Sequence, residues 1–384
     1  MLAERLAAAG WLPADWAGSF AAVDRGAFVP ARAWVDDEYG SPHPIDRDAD
    51  PTRWRAAVYA DVPIVTQLDD GATVWPATGG HATSSASQPR VVLEMLTALD
   101  VHPGHRVLEV GTGTGYNAAL LAHRLGDDQV VTVEVDPTLA ELARARLAAA
   151  GYKPMVICGD GAVGWPAGTP YHRVVSTAAV VAGHVPYPWV EQTRPGGLIL
   201  TPWGTPFRNG GLLRLTVHDD GAATGRIVGD AAFMRLRQHR AAAPFGHAAR
   251  LGDLLDASTT AEESTTTVRP LEVATGHAAF AIGVAIEGVQ SGVFPDAEPG
   301  HVEVLLYDVR SESGAAARIT PTADAAGRWP VRQHGPRRLW DEVETAYTWW
   351  ALLGRPERTR YGVTVTPTRQ QVWLDHPSNI VPTP

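Results

Sequence analysis

Cysteine is almost missing from this 384-residue chain. Cys158 stands alone, so no intrachain disulfide can form, which fits a reducing compartment. Its apolar setting, Met155–Cys158, predicts a buried strand residue rather than a nucleophile. Long hydrophobic runs are missing too. Nothing approaches the roughly 18 uninterrupted apolar residues of a membrane span. The opening Met1–Gly10 carries Glu4 and Arg5 within MLAERLAAAG, which argues against a signal peptide and predicts a cytoplasmic protein. Positive charge is in deficit: 32 basic against 42 acidic residues leave a net charge of −10, which disfavours a nucleic-acid partner. The 14 histidines form no HExxH arrangement and there is no CxxC, so no metal site is expected.

What is present is enough for a large core: 45% of the residues are hydrophobic, and the length favours two domains. Leu2, Leu6 and Ala9 have helical spacing, and Asp15–Val23 reads as a second helix. Residues 36–55, rich in Asp, Pro and Arg, read as a loop or insertion. Ala60–Gln67 is a strand candidate, Asp69–Gly80 is turn-rich, and Arg90–Leu99 is an amphipathic helix. From Arg106 strands alternate with helices: Arg106–Val110, Asn117–Leu125, Val130–Val135, Leu139–Ala150, Met155–Cys158, Tyr171–Ser176, Trp189–Arg194 and Leu198–Thr201. That alternation predicts a mostly parallel sheet covered on both faces. Gly211–Val217 and Ala222–Arg235 read as an antiparallel pair turning at Asp219-Asp220-Gly221. Beyond about Arg240 the character changes. Ser258–Thr267 reads as a polar linker, Ala278–Glu287 and Val302–Val309 as β-rich runs, and Arg338–Leu353 as a helix with Leu339, Val343, Ala346, Trp350 and Leu353 on one stripe, capped at Gly354. Gly362–Thr366 and Gln371–Leu374 read as a final hairpin. The expected division is 1–80, an N-terminal helical segment with insertions on the substrate side; 81–240, the cofactor-binding core; and 241–384, an α+β extension.

The chemistry centres on Val107-Leu108-Glu109-Val110-Gly111-Thr112-Gly113-Thr114-Gly115-Tyr116, a strand running into a glycine turn and then a helix. Such glycines let a ligand approach the backbone, and the helix start offers free N–H groups. Glu134, ending the next strand, can accept both hydroxyls of a ribose, and Asp160 in Gly159-Asp160-Gly161 can accept from an adenine amino group. The lysine and Ser/Thr of a P-loop are missing, so a nucleoside is favoured over a nucleoside triphosphate. A nicotinamide dinucleotide remains the alternative, against which stand the GxGxG spacing and the Asp160 turn. Ser84–Ser87 have a structural reading as caps for the helix near Arg90.

Ser87-Gln88-Pro89, then Val101–Ala118, Val131-Thr132-Val133-Glu134, Gly159-Asp160-Gly161, Val175–Ala179 and Arg194-Pro195-Gly196-Gly197 occur in one order, preceded by Phe28-Val29-Pro30 and Tyr59–Ile64. In these residues, over about 1–237, the chain resembles the protein-L-isoaspartate O-methyltransferase family. The resemblance implies an α/β, class I Rossmann-like methyltransferase with a mostly parallel seven-stranded sheet, to which the smaller C-terminal α+β region is added. It implies S-adenosylmethionine as cofactor, with S-adenosylhomocysteine as product. Glu109, Gly111, Thr112, Gly113, Gly115, Tyr116 and Asn117 would line its methionine end, Glu134 and Val135 its ribose, Asp160 and Gly161 its adenine, with Thr177 nearby. Ser87 matches the family's active-site serine, which contacts the substrate carboxylate, and Ser85 falls where threonine is usual. Ser84, His81 and Gln88, close to Ser87 in sequence, are expected as further substrate contacts.

The chain departs from the family on the substrate side. Gly79–Ser85 replaces the usual approach to the serine, the stretches Pro30–Tyr59 and Ile64–Ser87 are long, and His172 stands where an acidic residue is common. Gly335–Val343, Trp349-Trp350, Arg360–Thr366 and Val372-Trp373-Leu374 resemble extensions on actinobacterial relatives that accompany lasso-peptide, lanthipeptide and ATP-grasp-ligated peptide pathways. That resemblance implies methylation of an aspartate in a modified ribosomal peptide, the ester then closing to an aspartimide. Isoaspartate repair is the alternative, and a non-catalytic peptide-binding partner a third reading. The expected partner is an aspartate-containing modified peptide, with no membrane association and a monomer favoured. Trp340 and Trp350 read as core, and Arg337-Arg338 beside Asp341-Glu342 as a solvated, self-paired face.

Overall fold

The computed structural model describes residues 2–36, 42–240, 261–295, 301–319, 323–324 and 326–382. In chain order the strands are β1 Arg32–Asp36, β2 Pro42–Asp46, β3 Ile64–Leu68, β4 Ala82–Ala86, β5 Val107–Val110, β6 Val130–Glu134, β7 Met155–Cys158, β8 Tyr171–Ser176, β9 Val180–Val181 and β10 Thr193–Gly204. They continue with β11 Asn209–Val217, β12 Ala223–Asp230, β13 Glu262–Thr266, β14 Gln290–Pro295, β15 Val302–Asp308, β16 Ser313–Ile319, β17 Trp329–His334, β18 Tyr361–Val365 and β19 Gln370–Leu374. The helices are α1 Leu2–Ala8, α2 Ala14–Ala22, α3 Pro51–Val58, α4 Pro89–Leu99, α5 Tyr116–Leu125, α6 Pro137–Ala149, α7 Tyr187–Gln192, α8 Pro270–Ala274, α9 Gly276–Ala285 and α10 Leu339–Leu352. Two compact units result. The first holds 1–178, 186–202 and 213–224; the second holds 179–185, 203–212 and 225–384.

The first unit is built on parallel strands. β7, β6, β5, β8 and β10 pair side by side, all parallel. Val107, Leu108 and Val110 of β5 and Val130, Val131 and Val133 of β6 are buried, as are Ala118–Leu121 of α5. Strands buried on both faces carry such continuous apolar runs. From β5 the chain steps outward to β6 and β7, then returns to the other side of β5 for β8. This reversal is the topological switch point, where open α/β sheets bind ligands at the carboxyl ends of their strands. The seven expected strands are present in the order β12-β11-β10-β8-β5-β6-β7. The hydrogen-bonded path continues through β18 and β19, and β9 pairs with β10, so the sheet has ten strands instead of seven. Pairing of a hairpin more than 130 residues downstream with β12 is a tertiary event that local periodicity does not encode.

Cys158 is exposed, contrary to the expectation of burial. β7 is the edge of its sheet, so the end of this short strand lies open to solvent. The expected loop at 36–55 is also corrected where the structure describes it. β2 pairs antiparallel with β1, and α3 is capped by Asp50, whose carboxylate accepts from the Arg53 N–H at 2.9 Å. Residues 37–41 of that segment lie outside the described residues. β1 and β2 belong to an antiparallel sheet, β2-β1-β3-β4, whose edge strand β4 carries Ser84 and Ser85. Val29, Ala33, Ile45, Trp54, Val58, Ile64 and Ala86 form its core.

In the second unit β13-β17-β16-β15-β14 form an antiparallel sheet. The part of the expected linker that is described, from residue 261, contains β13; residues 258–260 lie outside the described residues. The run Ala278–Glu287, expected as β, is the helix α9, buried on every side from Ala278 to Ala285. A short, wholly apolar run has no periodicity to separate helix from strand. Trp340 and Trp350 are core residues of α10, whereas Leu353, past its end, is exposed. Arg337 does more than face solvent: besides Glu342 it pairs with the buried Asp308 at 2.8 Å. In the β18–β19 hairpin Gly362 lies opposite Trp373, and a Cβ there would meet the indole at 2.2 Å and the Gly225 carbonyl at 2.6 Å. Glycine is what lets these backbones and the ring close up.

Candidate active site

The turn after β5 is made by glycines with φ of 92° at Gly111, 54° at Gly113 and 90° at Gly115, a region L side chains avoid. Each close approach has a partner. A Cβ on Gly111 would stand 2.6 Å from Thr177 Oγ1, and one on Gly115 3.2 Å from Leu147 Cγ. Thr177 follows β8, and its N–H donates to the Val110 carbonyl at 2.8 Å. Glu134, at the end of β6, is 7% exposed; its Oε2 accepts from the Gly113 N–H at 2.8 Å and its Oε1 from the Asp136 N–H at 3.1 Å. Asp136 in turn caps α6, accepting from the N–H groups of Thr138 and Leu139. Val135 is 38% exposed beside this carboxylate. Asp160 is exposed, its Oδ1 accepting from the Ala162 N–H, and a Cβ on Gly161 would strike Val110 Cγ1 at 2.4 Å. Turn, carboxylate and second acidic turn thus stand at the carboxyl ends of β5, β6 and β7.

Glu109 is placed differently from the expectation that it lines the open turn. It is fully buried, accepting from Asn117 Nδ2 at 2.7 Å and Thr132 Oγ1 at 2.6 Å, while Thr112 Oγ1 meets Thr132 Oγ1 at 2.6 Å. It braces the turn and the first turn of α5 from beneath. Tyr116 is likewise buried, against Phe28 at a centroid distance of 5.8 Å. Burial pushes the Glu109 carboxyl from 4.5 up to about 7, against the pull of the Thr132 and Asn117 bonds. A raised carboxyl pKa means that the folded state holds this proton more tightly. Its stabilising contribution is complete below the ordinary carboxyl range and is lost as pH rises through about 7. The thermal stability of the native chain should therefore fall from about pH 5 to about pH 8 more steeply than that of Glu109→Gln. Parallel profiles in calorimetry would refute this placement of the charge.

The acceptor side is carried by β4 and the residues after it. Ser84 is buried and its hydroxyl accepts from Thr66 Oγ1 at 3.0 Å; Ser85 and Ser87 are half-buried. The Ser87 hydroxyl makes no hydrogen bond to the described residues. A Cβ on Gly113 would lie 3.8 Å from the Ser85 carbonyl and 3.9 Å from Ser84 Oγ. The serine strand and the glycine turn, about thirty residues apart in sequence, therefore lie against each other. Ser84–Ser87 do not cap α4. Asp61 does, accepting from the Arg90 N–H at 2.8 Å. Gln88, expected to contact substrate, donates its amide to the same Asp61, at 3.0 and 3.1 Å. His81 sits at the start of β4, its N–H donating to Asp69 at 2.8 Å.

Two supporting residues were not singled out from the sequence. Gln67 bridges the two sides: its Oε1 accepts from Thr83 Oγ1 at 2.8 Å, and its Nε2 donates to Asp136 Oδ2 at 3.2 Å. Arg25 lies beneath the serine segment. The one signal for it was its position just before Phe28-Val29-Pro30. His172, on the opposite rim of the sheet, accepts the Arg106 N–H and stacks on His105 at 4.8 Å. Among the described residues no group of three or more His, Cys, Asp or Glu is placed to hold a metal ion, and no helix is long and apolar enough to cross a membrane.

A parallel sheet with its switch point at a glycine turn, and a carboxylate closing the neighbouring strand, defines a Rossmann-like architecture of the kind class I methyltransferases use. The comparisons narrow it. The family described as Protein-L-isoaspartate(D-aspartate) O-methyltransferase (PCMT) matches residues 43–241, more than half of the chain. The protein-L-isoaspartate O-methyltransferase of Pyrococcus horikoshii is 40% identical over 156 residues, 40% of this chain and 70% of that one. Protein-L-isoaspartate O-methyltransferase 2 of Polaromonas sp. is 38% identical over 166 residues, 43% of this chain and 76% of that one. A solved protein-L-isoaspartate O-methyltransferase shares the fold over 98% of this chain and 99% of its own, with a TM-score of 0.51 and 19% identity. The chain belongs to the protein-L-isoaspartate O-methyltransferase family. It is a methyltransferase, and the cofactor of its family is S-adenosylmethionine.

Proposed function

We propose that the chain transfers the methyl group of S-adenosylmethionine to the side-chain or isoaspartyl carboxylate of a peptide or protein. The observation that carries this reading is the packing of β4, which carries Ser84 and Ser85 and leads into Ser87, against the Gly113 turn. The residues suit the cofactor. The positive-φ glycines allow a turn that L side chains avoid, and at Gly113 a Cβ would meet nothing nearer than 3.8 Å, so the backbone there can be approached; Glu134 suits a ribose, and the Asp160–Gly161 turn suits an adenine. When bound, the cofactor supplies a methyl group activated by the positive charge of its sulfur. A carboxylate, with a pKa of roughly 4, is already ionised at neutral pH, so no strong base is required. What remains for the chain is alignment and exclusion of water. The unspent Ser87 hydroxyl donates to one carboxylate oxygen and turns the other toward the methyl group. Ser85, on the strand that leads into Ser87, supports the segment.

An isoaspartyl acceptor has the support of the family match and of the named relatives. A second reading is an aspartate in a modified ribosomal peptide, whose methyl ester closes to an aspartimide when the next backbone nitrogen attacks it and expels methanol. The long stretches Pro30–Tyr59 and Ile64–Ser87 on the substrate side support it, with residues 241–384 as the peptide-recognition region. The solved isoaspartate methyltransferase has the same fold over 98% of this chain, so the C-terminal region alone does not separate the two readings.

Incubation with S-adenosylmethionine and three peptides tests both: an isoaspartyl peptide, its aspartyl isomer, and a cyclised precursor peptide from neighbouring genes. Methylation of the isoaspartyl peptide alone is the expected result. A methyl gain on the precursor peptide that gives way to net loss of water would establish the second reading. Peptide binding without transfer to any carboxylate would overturn both.

A further inference from the structure

Arg25 is 2% exposed, yet no carboxylate pairs with it among the described residues. Backbone carbonyls take its place. Nη1 donates to Val58 O at 2.5 Å and Ala60 O at 3.3 Å, and Nη2 to Val62 O at 2.9 Å, Ala86 O at 3.2 Å and Ser87 O at 3.0 Å. Only Nε is without a partner. Five carbonyls from two segments, 58–62 and 86–87, converge on one planar fork. Burying a cation is costly, and here burial pulls the guanidinium down to about 10, so it stays charged at neutral pH. The turn that carries it is itself held. Asp24 Oδ1 accepts from the Gly26 N–H at 3.0 Å and from the Tyr59 hydroxyl at 2.7 Å, and a Cβ on Gly26 would stand 2.5 Å from that hydroxyl.

A lysine has one point charge and cannot hold two carbonyl groups in the plane of a fork. The apolar core of the N-terminal segment, Val29, Ala33, Ile45, Trp54 and Val58, is made by other side chains. What the fork adds is direction: two of its five acceptors are the carbonyls on either side of the Ser87 amide. We infer that Arg25 is a positioning residue for methyl transfer, fixing the backbone at Ala86–Ser87 so that the Ser87 hydroxyl faces the acceptor carboxylate. The inference rests on the proposed role of Ser87 and adds the group that aims it.

The test uses the full chain with Arg25→Lys, and Arg25→Gln as second variant should the lysine chain fail to fold. Cofactor affinity by calorimetry should stay within about twofold, because the glycine turn, Glu134 and Asp160 do not touch Arg25. The kcat on an isoaspartyl peptide should fall about tenfold, the scale of one lost hydrogen bond to a charged group. In the Ser87→Ala background the same change should cost less than about twofold, since a group that acts through Ser87 has nothing left to aim. Multiplying losses, or equal loss of cofactor affinity and kcat, would overturn the inference.

Hydrogen exchange reads the tether without activity. Amides of 84–88 should exchange about tenfold faster in the variant, with those of β5 and β6 unchanged. Unchanged exchange at 84–88 also overturns it. If the native chain methylates no carboxylate, or Ser87→Ala leaves transfer intact, the acceptor reading fails, and the tether still stands or falls on exchange.

Discussion

Ser87→Ala should slow methyl transfer by roughly 10- to 100-fold while leaving cofactor affinity almost unchanged, the fold-change expected when one hydrogen bond to an ionised group of about 1.5–3 kcal/mol is lost. The hydroxyl is half-buried, makes no hydrogen bond to the described residues, and follows a strand that lies against the Gly113 turn. Its removal takes nothing from the fold and opens only a small gap, so thermal stability should hold. The loss should fall on kcat and kcat/KM together, because the bond matters most when the carboxylate is aligned with the methyl group. Steady-state kinetics with titration calorimetry of the cofactor decide the matter. If cofactor affinity drops in step with the rate, the serine is part of the cofactor site or of the fold, and its acceptor role is wrong.

The other large effect is expected at Gly111. Valine there must adopt a φ of 92°, and a left-handed conformation costs an L-residue about 1–2 kcal/mol before any contact is counted. Its Cβ would also lie 2.6 Å from Thr177 Oγ1, and Thr177 is held to the Val110 carbonyl. The turn must shift, and with it the Gly113 N–H that Glu134 accepts. Gly111→Val should therefore lose cofactor affinity by about 100-fold or more, the equivalent of about 2.7 kcal/mol or more, and with it transfer at ordinary cofactor concentrations. A folded variant that binds S-adenosylmethionine like the native chain would show that this turn does not hold the cofactor. Circular dichroism separates that result from simple unfolding.

These two residues differ in how visible they are in the sequence. Gly111 is readable because its neighbours are local: a strand, three glycines at alternate positions and a helix tell of one turn, and Glu134 and Asp160 end the next two strands. Ser87 is readable only through the resemblance, since from residue types alone Ser84–Ser87 could as well cap α4. The cap is supplied instead by Asp61, nearly thirty residues upstream. Arg25 gave no chemical signal, because its five acceptors are backbone carbonyls and carbonyls have no sequence signature. The same limit explains the errors. Cys158 is exposed because β7 is an edge, α9 shows no helical period because it is buried on every side, and β18 and β19 join the large sheet because Gly362 allows it.

By itself the sequence determined the alternation of strands and helices from Arg106 onward, the glycine turn, and the two acidic residues at the strand ends, which together mark the proposed cofactor site. Those features are set by periodicity and by glycine's access to positive φ, both properties of a few neighbouring residues. Only the tertiary structure decided that the serine strand lies on the glycine turn, that Glu109 is buried beneath it, and that Arg25 holds the backbone around Ser87. Each depends on groups brought together from distant parts of the chain, where packing and hydrogen-bond satisfaction rather than local preference select the arrangement.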